Sequence, residues 1–117
     1  MVLLDDVAWP SCQLPVHQVT GGVAITTLEG LAAPDGTLHP VQAAFVQEQA
    51  AQCGYCLNGM VMQAAALLAR DPQPDEARIR AELSGNLCRC GTHVEIVRAV
   101  QLAASRLAGG TAAAATE

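Results

Sequence analysis

The chain contains no lysine; its six basic residues are all arginine, set against eleven Asp and Glu for a formal charge of −5. No basic stripe is available to follow a phosphate backbone, which argues against nucleic acid as a partner. Aromatic residues are nearly missing too, with Trp9, Phe45 and Tyr55 the whole set. A chain of 117 residues, 51% of them hydrophobic, must then build its core from Ala, Val, Leu, Ile and Met, a composition that favours closely packed helices around one core. No apolar run approaches the ~18 to 20 residues of a membrane span, and MVLLDD has neither the basic flank nor the apolar length of a secretory leader. The expected location is the cytosol.

Cysteine is what the sequence does have. There are five, at Cys12, Cys53, Cys56, Cys88 and Cys90, and in a reducing compartment they point to ligands or redox catalysts rather than structural disulfides. Four of them form two tight pairs, C-x-x-C in QCGYC and C-x-C in LCRCG.

The surrounding pattern predicts how the pairs meet. VLL at 2–4 and VAW at 7–9 flank Asp5-Asp6 as a short hairpin, and VAITTLEG at 23–30 reads as a further β-branched strand. Two or three short strands cannot bury both faces alone, so residues 1–36 read as the remnant or edge of a β domain and a linker. From His39 the periodicity is helical. Pro40 suits a first helical position, with Gly54 ending that run. Leu57 to Leu68 carries a second apolar stripe, stopped by DPQP at 71–74, and a third helix runs from Asp75 to near Gly85. Thr92 and Glu95 form the sequence signature of a capping box for a fourth helix through Leu107. The expected organisation is mainly α: a four-helix domain at 37–108 behind a short β element, with a low-complexity, disordered tail at 109–117. Both cysteine pairs then sit in helix junctions at one end of an antiparallel bundle, where four thiols converge.

Three chemistries use such a set. A [2Fe-2S] cluster takes four thiolates, two per iron; Gly54 and Gly91 would let backbone approach it closely, and helix starts near Leu57 and His93 direct partial positive charge toward it. A structural zinc also takes four thiolates, in a zinc-stapled interaction module without redox function. Spacing alone does not separate these two. A dithiol oxidoreductase would explain CGYC, but that motif normally follows a strand, and Cys88 and Cys90 would be left without a role.

The wording around the pairs carries a resemblance. GTLHPVQAAFVQEQAAQCGYCLNGMVMQAAALL and LSGNLCRCGTHVEIVRAV resemble the [2Fe-2S]-binding small subunit of the xanthine oxidase family of molybdenum hydroxylases, over about Val2 to Leu107. The resemblance implies that Cys53, Cys56, Cys88 and Cys90 ligate one [2Fe-2S] cluster beside a molybdopterin held in a large partner subunit, with Gln52 and Gly54 on the cofactor side. It implies electron transfer, with electrons passing onward to an FAD or cytochrome subunit, and no substrate chemistry in this chain. VLLDDVAWPSCQLPV resembles the family segment that follows the third cysteine of a plant-type ferredoxin loop, and Cys12 matches the fourth ligand of that loop's cluster. The expectation is therefore an N-terminally truncated member with a single cluster, arising as a fragment, from a mis-set start, or with its other half on a separate chain; Cys12 is then a small buried residue or a free thiol.

Several residues have plainer readings. Gln52 could cap a helix end instead of meeting the cofactor. Arg89 could offset cluster charge, pair with the large subunit or be solvated, and Tyr55 could shield the cluster or fill the core. Met60 and Met62 suit packing, Asn86 suits a turn, and His17, His39 and His93 share no ligand spacing. No nucleophile, base and orienter stand together.

Overall fold

In the computed structural model, residues 1–109 are described. The strands and α-helices are β1 (Val2–Leu4), β2 (Val7–Trp9), β3 (Ile25–Thr26), α1 (Pro40–Gln47), α2 (Leu57–Arg70), α3 (Glu76–Leu83) and α4 (His93–Ala108), so the described residues are mainly helical, with four α-helices and a small sheet. The disordered tail expected from 109 onward lies, beyond Gly109, outside the described residues.

The sheet has the order β2-β1-β3, antiparallel throughout. Asp5 and Asp6 both take positive φ (46° and 66°), the geometry that turns a two-residue hairpin with the right twist, which Asp tolerates better than most side chains. Asp5 also ties the turn down: its N–H donates to Ala24 O and its carboxylate accepts from Ala24 N–H, each at 3.0 Å. Leu3 faces inward onto Met62 and Ala66 of α2, while Val7, Trp9 and Ile25 are exposed on the other face.

The strand expected at 23–30 is only two residues long. Leu28–Leu31 instead forms a turn of 3-10 helix, because Leu28 and Leu31 both pack toward the core, which strand alternation does not permit.

Helix α2 is buried on nearly all sides, at Met60, Val61, Met62 and Ala64 through Leu68. It takes the sheet on one side and the other helices on the other. Helix α1 lies along α4, whose buried positions Ile96, Val97, Ala99, Val100, Ala103 and Ala104 recur at three- and four-residue spacing. Helix α3 contributes Ile79 and Leu83 and starts on Asp75, whose carboxylate accepts from Arg78 N–H at 2.7 Å. Its outer end is fastened to α2 through Glu82, which accepts from Gln63 at 2.7 Å and meets Arg70 at 2.5 Å.

Helix α1 ends earlier than expected. It closes at Gln47, and the left-handed residue that ends it is Gln49 (φ 52°), five residues before Gly54. Gln49 N–H donates to Val46 O at 3.2 Å and Ala50 N–H to Phe45 O at 3.0 Å, the paired bonds of a Schellman motif. Fully buried Ala50 supplies its apolar contact, which favours this stop six residues before the cysteines. The start of α1 has Pro40 at its first position and a capping box: His39 Nδ1 accepts from Val41 N–H at 3.2 Å, and Gln42 accepts from His39 N–H at 3.0 Å.

That cap is pH-sensitive. Nδ1 accepts a hydrogen bond only when it carries no proton, and burial holds the imidazole below its usual value of 6.5. The unfolded chain binds more protons than the folded one across this window, so stability rises with pH. His39 therefore contributes fully above about 6.5 and loses its contribution as pH falls through the lowered folded value. Urea unfolding at about pH 5 and pH 7.5 should show this slope, and His39→Asn, which keeps a cap acceptor without titrating, should reduce it.

Candidate metal centre

Because α1 closes at Gln47, residues 48–56 form a loop that carries Cys53 in the open and places Cys56 immediately before α2. Residues 84–92 between α3 and α4 carry Cys88 and Cys90, both half-buried. The two loops lie at one end of the bundle, and all four thiols come together there. Gly54 and Gly91 both sit at φ 82° with open space where a Cβ would point, so these positions select glycine by backbone conformation rather than by crowding.

The thiols meet in cross pairs, one from each loop. Cys53 lies against Cys90, and Cys56 against Cys88. Within each pair one thiol moves down in pKa and the other up. Cys88 is lowered to about 6, first by the hydroxyl of Thr92 and then by the backbone amides of Thr92 and Gly91. Cys56 is pushed up to about 11 by burial and by its contact with Cys88. Cys53 is lowered, chiefly by the Tyr55 backbone N–H and then by Cys90. Cys90 is raised: the Cys53 backbone N–H pulls it down, but the Cys53 thiol, desolvation and the neighbouring sulfur charges outweigh it.

Among the described residues no three His, Cys, Asp or Glu side chains converge on one ion-sized point. The donor set is a pair of pairs. Four thiols supply the donor count of a [2Fe-2S] cluster, two per iron, and equally that of a tetrahedral zinc. An open cavity of about 440 Å³ adjoins the thiols, lined by Cys53, Tyr55, Cys56, Leu87, Cys88 and Arg89. Tyr55 (96% exposed) and Leu87 (86% exposed) stand almost wholly in solvent at its rim.

Gln52 is exposed beside Cys53, and a helix-end role for it falls away, since Gln49 already closes α1. Tyr55 does not fill the core. Met60 and Met62 are fully buried packing residues. Cys12 is exposed in a 3-10 turn at Ser11–Gln13 rather than buried.

Two residues at the site carry roles that the sequence pattern does not reveal. Thr92 is the N-cap of α4, yet its side chain makes no capping hydrogen bond; its Oγ1 lies 3.4 Å from Cys88 Sγ. The expected Thr92–Glu95 capping box is therefore not formed: the Thr92 backbone is not extended as at an ordinary N-cap (φ −76°, ψ 26°), and its hydroxyl faces sulfur instead. Asn86 makes its turn, donating N–H to Leu83 O at 2.9 Å, but its side chain also presses on α2. A Cβ at Gly59 would stand 2.8 Å from Asn86 Oδ1. Gly59 follows Cys56 by three residues and Asn86 precedes Cys88 by two, so this close approach lies between the two cysteine loops. A glycine inside a helical run is the one signal of it in the sequence.

A family model for a [2Fe-2S] binding domain matches residues 27–101. The chain is 61% identical over 106 residues to one of the subunits of nicotinate dehydrogenase from Pseudomonas putida, covering 88% of this chain and 64% of that protein. It is 46% identical over 107 residues to the alpha subunit of isoquinoline 1-oxidoreductase from Brevundimonas diminuta, covering 92% and 68%. Among solved structures, the aldehyde oxidoreductase of Desulfovibrio desulfuricans superposes with a TM-score of 0.85 at 38% identity, covering 95% of this chain and 12% of that one. The chain thus spans about two thirds of the length of these two curated relatives.

The Gly59 contact is testable by sign. In an ordinary helix Gly→Ala stabilises by about 1 kcal/mol, whereas overpacking costs roughly 1–3 kcal/mol. Asn86 Oδ1 is the tip of a rotatable side chain and can swing clear of a new methyl, so Gly59→Ala should raise the urea midpoint, and adding Asn86→Ala should change it little further.

Proposed function

The chain belongs to the [2Fe-2S] binding domain family, and from that premise we propose that it is the electron-transfer iron–sulfur subunit, or part of one, of a molybdenum hydroxylase. Cys53, Cys56, Cys88 and Cys90 hold one [2Fe-2S] cluster. The observation that carries this reading is the gathering of four thiols as two cross pairs from two loops at one end of the bundle. A bound cluster supplies a one-electron relay.

What the chain's own residues contribute is geometry and charge. The left-handed glycines shape both loops. The N-terminal ends of α2 and α4, immediately after Cys56 and Thr92, direct partial positive charge at the thiolates. The cavity opens outward between Tyr55 and Leu87, which suits a centre that exchanges electrons with a partner docked over it. That partner is a large molybdopterin-binding subunit, with Gln52 and Gly54 toward the cofactor side, and electrons pass onward to an FAD or cytochrome subunit. Two observations support a large partner: the curated relatives are themselves named as subunits, and this chain corresponds to 12% of the much longer aldehyde oxidoreductase chain. The organisation follows the same reading: residues 1–36 as a ferredoxin-like β element and linker, and 37–108 as the cluster domain. No helix among the described residues is long and apolar enough to cross a membrane, and free thiols suit a cytosolic location.

The alternative, a zinc-stapled structural module, is less favoured by the match to the [2Fe-2S] binding domain family. Anaerobically purified protein should contain about two irons and two acid-labile sulfides per chain, with visible absorption and an EPR signal that appears on dithionite reduction. Serine at any one of the four positions should abolish or strongly deplete the centre, whereas Cys12→Ser should leave it intact. Stoichiometric zinc in a colourless protein after anaerobic reconstitution would overturn the assignment.

A further inference from the structure

Thr92 occupies the N-cap of α4, where a threonine hydroxyl ordinarily accepts a hydrogen bond from a backbone N–H two or three residues on. Here that bond is not made, although Glu95 stands at the position a capping box requires. At φ −76° and ψ 26° the Thr92 backbone lies outside the extended region from which an N-cap side chain reaches those N–H groups, which leaves the hydroxyl free for another partner. It lies 3.4 Å from Cys88 Sγ, and α4 begins without its help: Ile96 N–H already donates to Thr92 O at 3.0 Å.

We propose that Thr92 is a positioning residue for the redox centre, its hydroxyl donating to the sulfur of Cys88 and biasing the centre toward its reduced form. This rests on the assignment of Cys88 as a cluster ligand. Of the two atoms only the hydroxyl carries a proton once Cys88 is bound as thiolate, which fixes the direction of the bond. An electron added to a thiolate-ligated centre increases the negative charge on its sulfurs, and a donor aimed at one of them gains strength in that state. Hydrogen bonds to sulfur are among the determinants of such potentials. The geometry also makes the donor specific to one loop: Thr92 follows Cys88 by four residues of irregular chain, and the Gly91 backbone at φ 82° lets the chain double back so that the two side chains meet.

The test is a redox titration of the iron-loaded chain followed by EPR, comparing wild type with Thr92→Val and Thr92→Ser. Val keeps the size and branching and loses the donor, while Ser keeps the donor. The reduction equilibrium constant should fall about three- to tenfold in T92V, a tenfold change being about 59 mV for one electron, and should stay within about twofold of wild type in T92S. An unshifted T92V, or a T92S shifted as far as T92V, overturns the proposal.

A second measurement does not depend on cluster loading. In the metal-free full chain, a double-mutant cycle of Cys88→Ala and Thr92→Val on urea unfolding should show coupling of at least about twofold in the folding equilibrium constant. Additive effects would mean that Thr92 acts only on the helix, and would overturn the contact. Failure of the cluster assignment itself reads out separately, as wild type that binds no iron while the cycle still couples.

Discussion

Four sulfur ligands do not gather by mutual attraction. As thiolates they repel, and as thiols their contacts are weak. What holds them is the packing behind them: α2 is enclosed almost completely, and the other elements close on it so that both cysteine loops emerge at the same end. The magnitudes favour the scaffold. Two unit charges about 4 Å apart cost about 1 kcal/mol in water-like surroundings and several times that near a protein surface. Each large side chain taken fully out of water contributes roughly 1.5–3 kcal/mol, and Met60, Met62, Leu67, Ile79 and Ile96 are all below 2% exposed. The balance holds only while the sulfurs stay at the solvent edge, where Cys53 is exposed and the other three are half-buried.

Within that frame the four thiols are not equivalent. Cys88 faces donors and its pKa falls to about 6, while Cys56 is pressed into the bundle and rises to about 11. The inequality comes from opposite sides of the same contact. One loop supplies a backbone that doubles back at Gly91 and a hydroxyl at Thr92; the other delivers its cysteine directly onto the first turn of a buried helix. Gly59 and Asn86 meet between the two loops. The chemistry of the centre is thus built from neighbours that bind no metal, and each is within a few residues of a ligand.

Much of this is legible in the residues. The two cysteine spacings, the glycines beside them and the helical periods of α2 and α4 lead to four thiols at one end of a bundle, because each is a local pattern with one structural reading. What is not legible depends on competition between partners. Thr92 with Glu95 spells a capping box, and nothing local says that a sulfur four residues earlier will take the hydroxyl. Gly54 reads as the stop of α1, but buried Ala50 makes an earlier stop at Gln49 the better one, despite the cost of left-handed backbone in a glutamine. The strand expected at 23–30 fails for a similar reason: Leu28 and Leu31 are both drawn to the core, and tertiary burial overrides β propensity.

The outward surface carries the last step. The outer faces of α2 and α3 carry Arg70, Arg78, Arg80 and Glu76 in solvent, and Tyr55 and Leu87 stand bare at the rim of the cysteine cavity. In the proposed assembly a partner covers that rim and removes water from above the sulfurs. A lower local dielectric strengthens every hydrogen bond and charge interaction left inside, so the donor at Thr92 and the helix ends at α2 and α4 act more strongly in the covered centre than in the free chain. The same closure raises the cost of adding an electron to a buried anionic centre. A fixed donor on one sulfur offsets part of that cost without needing to reorganise, which gives a physical reason for the hydroxyl to face Cys88 rather than the helix it begins.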